Sequence, residues 1–141
     1  MNNFNSIFFL LIAILFVGIL VFIAIILTGK RKYSFDTEEY QSDWLAIEHS
    51  LIQDNPATHN LVVVDADKLL DRALHEMGVP GKNMGERLKR SSNKFSQLNS
   101  VWYVHKLRNQ IAHEHGFKLE YHQAKRALTT YKQALKDLGA I

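Results

Sequence analysis

The sequence predicts an all-α protein in which a single N-terminal transmembrane helix precedes a small four-helix bundle. Two observations predict this fold class. A long stretch near the N-terminus is almost purely apolar, and the apolar side chains of the following segment recur every three or four residues, which is typical of amphipathic helices. No stretch alternates convincingly with a period of two residues, so a sheet is not expected.

The apolar stretch runs from Ile7 to Leu27, which is 21 residues without a charge. At about 1.5 Å per residue, a helix of this length crosses a hydrocarbon core of about 30 Å. A cleaved signal peptide is the alternative, but it needs a preceding basic region, and Met1–Ser6 contains no basic side chain. The domain boundaries we predict are a tail at 1–6, a transmembrane helix at 7–29, a basic linker at 30–38 and a bundle at 39–141.

Lys30, Arg31 and Lys32 follow the apolar stretch directly, and no Lys or Arg precedes it. Cytoplasmic flanks of membrane spans are enriched in these residues, so we expect a single-pass protein of the cell membrane with a cytoplasmic bundle. The three cations match the net charge of +3, which argues against a strongly basic overall field for nucleic acid. The lack of cysteine excludes disulfides, thiolate metal sites and a cysteine nucleophile.

Capping residues predict the first two helices of the bundle. Asp36, followed by Glu39, is an N-cap with an acidic third helical position, and the helix it starts is expected to end near Asp54. Asn55 and Pro56 predict the start of a second helix, because asparagine caps well and proline is tolerated in the first turn. We expect this helix to stop at a glycine and a proline, Gly78 and Pro80.

Three aspartates of the second helix, Asp65, Asp67 and Asp71, lie mainly outside its predicted apolar face. A carboxylate pair for catalysis or metal binding is one interpretation. A solvent-exposed helix face is the more common arrangement, and it is the one we expect here.

The segment from 78 to 97 is the locally basic part of the soluble chain, and Met84–Arg90 is expected to form a short helical turn within it. Its cations lie against a single acid, Glu86. One hypothesis is that they form an electrostatic lip for RNA backbone, and a solvated connection is the alternative. The residues we assign to the lip are Lys82, Arg87, Lys89 and Arg90.

Two further helices complete the predicted bundle. The third is expected from about Phe95 to Glu114 and is stopped by Gly116. The fourth begins near Leu119 or Glu120 and ends before Gly139, with apolar residues at regular helical spacing between them.

Polar residues form a stripe along the third of these helices. Counting about 100° per residue from His105, we find that Arg108, Asn109, Ala112 and His113 share one side, with Arg108 and His113 about 140° apart. Small Ala112 lies between the two, so a ligand or partner helix can approach closely. An arginine and a histidine beside a shallow gap suit a phosphate, and we assign His105 to the same binding surface.

The helical bundle and the motif Arg108-Asn-Gln-Ile-Ala-His113 together resemble the HEPN superfamily. The signature of that superfamily is an arginine, about four intervening residues of which the first is often asparagine, and then a histidine. The resemblance covers roughly Glu39 to Leu138 and leaves the apolar anchor outside the usual domain. It implies a HEPN-like four-helix bundle that acts as a metal-independent endoribonuclease and as a homodimer, with the motifs of two chains facing one cleft.

The resemblance also implies catalytic roles for Arg108, Asn109 and His113. His113 would exchange a proton with the RNA 2′-hydroxyl or with the leaving oxygen. Arg108 would hold the scissile phosphate, and Asn109 would orient the imidazole or the phosphate. RNA, a second copy of the chain and a protein regulator that the sequence does not identify are the partners we expect, together with the membrane; no cofactor is expected.

Two alternatives stay open at this stage. Arg108 could pair with Glu114 or with an aspartate of the second helix, while the other polar groups satisfy one another; the chain would then be a noncatalytic membrane-tethered binding or dimerisation module. A metal site is the second alternative, built from His105, His113, His115 and His122. The spacing disfavours it, since His113 and His115 lie about 200° apart on a helix, and we expect no metal.

Overall fold

The computed structural model describes residues 2–28 and 34–141, which belong to two separate compact units, 1–33 and 34–141. The regular elements in these residues are all helical, and the prediction of an all-helical chain is confirmed for them. The helices are α1 Asn2–Thr28, α2 Thr37–Ser50, α3 Pro56–Glu76, α4 Met84–Arg90, a 3₁₀ turn Ser92–Lys94, α5 Leu98–His113 and α6 Tyr121–Leu138.

Helix α1 is the one described helix that is long and apolar enough to cross a membrane. Its stretch from Ile7 to Ala24 has no side chain buried against protein, so its apolar surface needs a nonaqueous environment. Length and composition of this kind are shared by signal sequences. The helix begins at Asn2, ahead of the predicted start at residue 7, and the predicted end at residue 29 and the linker residues 30–33 lie outside the described part of the chain.

Caps fix where the first two helices of the bundle begin, as predicted. The Asp36 carboxylate accepts a hydrogen bond from the Glu39 N–H at 3.1 Å, and the Asn55 side chain accepts one from the Ala57 N–H at 3.2 Å. Pro56 occupies the first turn of α3, where its missing N–H costs no helical hydrogen bond.

The last two long helices are slightly shorter than predicted. α5 begins at Leu98, because the preceding chain forms a 3₁₀ turn and then becomes extended at the buried Phe95. α5 ends at His113, three residues before Gly116, and Glu114 is already extended. α6 ends at Leu138, and Gly139 caps it with a φ of 75°, a left-handed conformation that glycine adopts without a Cβ clash.

Helix α3 lies at the centre of the bundle and packs against α2, α4, α5 and α6. Its inner side chains are fully buried, as are the facing side chains of α6. Burial of a large aliphatic or aromatic side chain stabilises a fold by about 1.5–3 kcal/mol, so this apolar contact dominates the stability of the bundle. The largest contributors are Tyr40, Val62, Val63, Leu70, Leu74, Leu88, Val101, Tyr131 and Leu135.

Partly exposed ion pairs join α2 to its neighbours. Arg72 of α3 donates to the Asp43 carboxylate at 2.7 Å, and its guanidinium lies 4.4 Å from the centre of the buried Tyr40 ring. Lys132 of α6 donates to Glu48 at 2.8 Å. Pairs at this level of exposure contribute at most about 1 kcal/mol each, so they orient α2 more than they hold it.

Leucines of α3 test whether stability resides in this apolar centre. Leu70→Ala should lower the free energy of unfolding by about 2–5 kcal/mol, because the side chain is fully buried and its removal leaves a cavity. Leu61→Ala, on the same helix but 53% exposed, is the matched control and should change it by less than about 0.5 kcal/mol. Urea unfolding followed by the fluorescence of Trp44 and Trp102 measures both, and equal losses would contradict the central role of α3 in the packing.

Candidate functional site

The polar stripe of α5 runs from the inside of the bundle to its surface. His105 is buried, Arg108 and Asn109 are half-buried, and His113 is exposed at the last residue of the helix. The residues after Ile111, up to Gly116, are all exposed. The motif residues therefore share one side of α5, as the 100° count predicts, but they differ strongly in their contact with solvent.

A buried carboxylate of α3 organises the inner end of the stripe. Asp67 is 3% exposed, and its Oδ1 atom accepts a hydrogen bond from Nδ1 of His105 at 2.9 Å and another from the Tyr131 hydroxyl at 3.0 Å. An isolated buried charge is very unfavourable, so these donors are needed to keep Asp67 inside the bundle. Asp67 thereby joins α3, α5 and α6 at one point.

Arg108 supplies the compensating positive charge. Its Nε atom lies 3.5 Å from Oδ2 of Asp67 and is buried, but the geometry does not satisfy a hydrogen bond, so the contact is an ion pair alone. Its Nη1 atom donates to Oδ1 of Asn109 at 3.3 Å. The Nη2 atom makes no hydrogen bond within the described part of the chain, and 30% of the side chain remains exposed.

The pKa of the Tyr131 phenol is affected by the same buried carboxylate. Burial raises the pKa of Tyr131 well above its ordinary value, and the negative charge and hydrogen bond of Asp67 raise it further, while Arg108 opposes the shift. The neutral phenol is therefore the form that the folded bundle retains. Its hydroxyl remains a donor to Asp67 at any pH where the bundle is folded and the tyrosine is protonated.

The structure places His105 in the core, away from the surface binding site to which we assigned it. Its ring is 7% exposed, with Nδ1 on Asp67 and Nε2 at 3.4 Å from Nδ2 of Asn109. α4 covers the ring, since a Cβ built on Gly85 would lie 3.6 Å from Nε2. His105 therefore contacts neighbouring side chains and is not accessible to a ligand in solution.

The predicted basic lip loses one member. Arg87 is 8% exposed, and its Nε and Nη2 atoms donate to the two carboxylate oxygens of Asp71 at 2.7 and 2.9 Å. This paired contact fixes α4 to α3, and it raises the pKa of the Arg87 guanidinium above its ordinary value, partly offset by burial. The other three residues of the predicted lip, Lys82, Lys89 and Arg90, are exposed.

The expectation that the aspartates of α3 form a solvent-exposed face is therefore wrong for two of them. Asp67 is buried and Asp71 is engaged by Arg87, whereas Asp65 is partly exposed and pairs with Lys68. The burial of Asp67 can be predicted from its angular position on the helix, counted at about 100° per residue. Relative to Val63, Leu70 lies at about −20°, Leu74 at about +20° and Asp67 at about +40°, so Asp67 falls inside the apolar face.

His113 stands beside an open groove on the outer side of α5. The groove has a volume of about 500 Å³, and the His113 side chain makes no hydrogen bond or ion pair with any described residue. An exposed imidazole next to a concavity can reach a ligand without rearrangement of the bundle. The groove is lined by Tyr103, Lys106, Asn109, Gln110, His113 and Glu114.

The histidines do not converge. Within residues 2–28 and 34–141, no group of three or more His, Asp or Glu side chains has the geometry of a metal site. His105 faces the core, and His113, His115 and His122 are exposed. The groups that remain for chemistry at the outer end of the stripe are the Arg108 guanidinium, the Asn109 amide and the His113 imidazole.

Comparison of the chain with known protein families, with curated proteins and with solved structures finds no match. The resemblance to the HEPN superfamily therefore depends on the motif from Arg108 to His113 and on its helical setting. The geometry of α5 and its neighbours is the basis for a functional proposal.

Tyr131→Phe tests the buried carboxylate without changing the shape of the core. At neutral pH it should lower the free energy of unfolding by about 1–3 kcal/mol, because Asp67 loses a buried hydrogen bond. A raised folded pKa gives stability that is present below the unfolded value of about 10 and is lost as the pH rises above it, so the wild type should lose more stability above pH 10 than the variant. Urea unfolding between pH 7 and 11 measures this, and parallel pH profiles would contradict it.

Proposed function

We propose that this chain is a membrane-anchored, HEPN-like, metal-independent endoribonuclease that acts as a homodimer. The observation that carries the proposal is that α5 presents two different polar groups, one fixed by its neighbours and one exposed to solvent. Arg108 is held by Asp67 and Asn109, and its Nη2 atom makes no hydrogen bond to any described residue, whereas His113 is exposed beside an open groove. A fixed donor for a phosphate and an accessible proton-transfer group are the two parts that RNA cleavage requires.

Arg108 is suited to the scissile phosphate. A guanidinium presents N–H donors in a geometry that matches phosphate oxygens, and the two N–H groups of Arg108 Nη2 have no hydrogen-bond partner among the described residues. Hydrogen bonds from a preorganised donor stabilise the additional negative charge that develops on the phosphate in the transition state. The ion pair with Asp67 holds the donor in place before the substrate arrives.

His113 supplies the proton transfer. A neutral imidazole accepts the proton of the RNA 2′-hydroxyl as O2′ forms a bond to phosphorus, and the P–O5′ bond then breaks. The leaving O5′ takes up a proton from an imidazolium, which leaves a 2′,3′-cyclic phosphate and a 5′-hydroxyl. In a dimer the two steps can use one imidazole twice or the imidazoles of both chains.

The spacing within α5 favours a site shared by two chains. Arg108 and His113 are five residues apart, so their side chains leave one straight helix about 140° apart and about 7.5 Å apart along its axis. One chain therefore aims the pair poorly at a single phosphate. A twofold arrangement of two α5 helices brings the arginine of each chain next to the histidine of the other, and exposed Ala112 leaves room for close approach.

The anchor and the remaining cations fit the same proposal. The apolar helix α1, with cations only on its C-terminal side, favours a single-pass arrangement with a cytoplasmic bundle. Confinement to a membrane plane raises the effective concentration of protomers and so favours dimers. Exposed Lys82, Lys89 and Arg90 add sequence-independent attraction for RNA. Arg87 does not contribute to this attraction, because it is buried.

A noncatalytic tethered binding or dimerisation module is the second candidate. The same contacts that hold Arg108 favour it, because a guanidinium paired with a buried aspartate also has a purely structural use. Removal of the His113 imidazole distinguishes the two candidates, because the exposed side chain has no hydrogen bond or ion pair with the described residues and only the nuclease needs it.

Cleavage of RNA by the full chain in detergent micelles tests the nuclease. His113→Ala should lower the rate about 10²–10⁴-fold through loss of proton transfer, and Arg108→Ala about 10²–10³-fold through loss of charge stabilisation. His115→Ala removes an exposed histidine two residues further on and is the matched control, with a rate near that of the wild type. The product should carry a 2′,3′-cyclic phosphate, and cleavage should persist in excess EDTA. Equal cleavage by wild type and His113→Ala would exclude proton transfer by His113, and absence of cleavage by the wild type would leave only the noncatalytic module.

Mixing the two inactive variants tests the shared site. If each site combines Arg108 of one chain with His113 of the other, half of the randomly paired dimers contain one intact site, so activity should recover to about one quarter of the wild-type value. A site built within one chain gives no recovery, and that result would remove the twofold arrangement from the proposal.

Fusions at the C-terminus test the anchor and its orientation. The full chain should sediment with membranes at its uncleaved mass, and a C-terminal reporter active only in the cytoplasm should be active, because the cations follow the span. The matched variant replaces Lys30, Arg31 and Lys32 by glutamine and Asn2, Asn3 and Asn5 by lysine, and should lose the cytoplasmic signal. A shortened, soluble product would identify α1 as a cleaved signal sequence.

A further inference from the structure

Four polar side chains at the α3–α5 contact form a closed ring. Asp67 contacts His105 through Oδ1 at 2.9 Å, and His105 contacts Nδ2 of Asn109 through Nε2 at 3.4 Å. Oδ1 of Asn109 accepts from Nη1 of Arg108 at 3.3 Å, and Nε of Arg108 lies 3.5 Å from Oδ2 of Asp67. Each member of the ring therefore has two neighbours within it.

The three hydrogen bonds of the ring run in one sense, from Arg108 through Asn109 and His105 to Asp67, and the ion pair between Arg108 and Asp67 joins the two ends. Nδ1 of His105 faces the Asp67 carboxylate and donates to it, and Nε2 faces the NH₂ group of Asn109 and is an acceptor. The Asn109 amide must turn its NH₂ group to that acceptor, which leaves its oxygen for Arg108. The orientation of the amide is thus set by Asp67 through the tautomer of His105.

The ring limits the guanidinium at two separate atoms. The Asp67 carboxylate attracts Nε through an ion pair at 3.5 Å and Asn109 accepts a hydrogen bond from Nη1 at 3.3 Å, so rotation of the guanidinium plane lengthens one contact or the other. Nη2 lies outside the ring, and its N–H groups have no partner in the part of the chain that the structure describes. Polar networks in a low-dielectric interior stiffen the side chains they connect, and this one leaves a single open position.

We propose that Asp67, acting through His105 and Asn109, is a positioning residue that holds the Arg108 guanidinium in one orientation with Nη2 directed to a phosphate. This inference rests on the proposed function and adds to it a reason for the asparagine that follows the arginine. Asn109 and Asp67 have no need to touch the substrate. They act by restricting the motion of Arg108, which is the group that contacts the substrate.

Tyr131 separates positioning from stability. Its hydroxyl donates to the same Oδ1 atom of Asp67 as His105 does, yet it is not a member of the ring. Tyr131→Phe therefore removes one hydrogen bond from the carboxylate and lowers stability while all four ring contacts persist. Asn109→Leu does the converse, because it removes two ring contacts from a half-buried position without removing a core side chain.

The test measures order and activity on the same samples of full chain in detergent micelles. Nitrogen-15 relaxation of the Arg108 Nε–H, assigned with Arg108→Lys, should give an order parameter above about 0.8 in the wild type and below about 0.6 in Asn109→Leu and Asp67→Asn. RNA cleavage in Asn109→Leu should fall in kcat/KM by up to about 100-fold with little change in melting temperature. Tyr131→Phe should melt lower and keep both the order parameter and kcat/KM.

Three results would overturn the inference. They are a mobile guanidinium in the wild type, an order parameter that is unchanged in Asn109→Leu, and an equal loss of kcat/KM in Tyr131→Phe and Asn109→Leu. Asp67→Asn, if it does not fold, is replaced by Asn109→Leu, which reports on the same ring. Absence of RNA cleavage by the wild type would contradict the proposed nuclease instead, and the order parameters would still decide whether the ring positions Arg108.

Discussion

The buried carboxylate of Asp67 is the constraint on which the arrangement of the site depends. A negative charge that is 3% exposed requires donors from its surroundings, and here they come from α5 and α6. The Tyr131 hydroxyl and the His105 ring approach one oxygen, while Arg108 approaches the other. The angular position of α5 about its own axis is therefore set by charge compensation as well as by apolar packing, and this fixes which side chains of its last turn face outward.

Local sequence signals were sufficient for the helices and insufficient for their contacts. Asp36, Asn55 and Gly139 act within one turn of their own helix, so their effect could be predicted without knowledge of the neighbours. The start of α5 was less predictable, because Phe95 is buried by packing against other elements and stays extended although its pattern suits a helix. Element boundaries depend on tertiary contacts at such positions.

Charged residues were misplaced for a related reason. Charge alone predicts exposure, and it gave a solvent-exposed face for Asp67 and Asp71 and an exposed lip that included Arg87. Both expectations fail where a partner from a distant part of the chain compensates the charge, as Arg87 does for Asp71 and His105 does for Asp67. The angle of Asp67 within the apolar face of α3 was available from the sequence, but the identity of its partners was not.

The pairing of Arg108 with Asp67 has a consequence for how a phosphate can be bound. The two charges cancel, so in the proposed nuclease the site offers little net attraction for the single negative charge of a resting phosphodiester linkage beyond the hydrogen bonds of Nη2. A phosphorane-like transition state carries more charge on its oxygens and strengthens those hydrogen bonds selectively. In the proposed nuclease, an arginine that is neutralised on one edge and fixed in direction favours the transition state over the ground state, and this difference in binding raises the rate. The proposed function therefore assigns long-range attraction for RNA to another part of the surface, where Lys82, Lys89 and Arg90 are exposed.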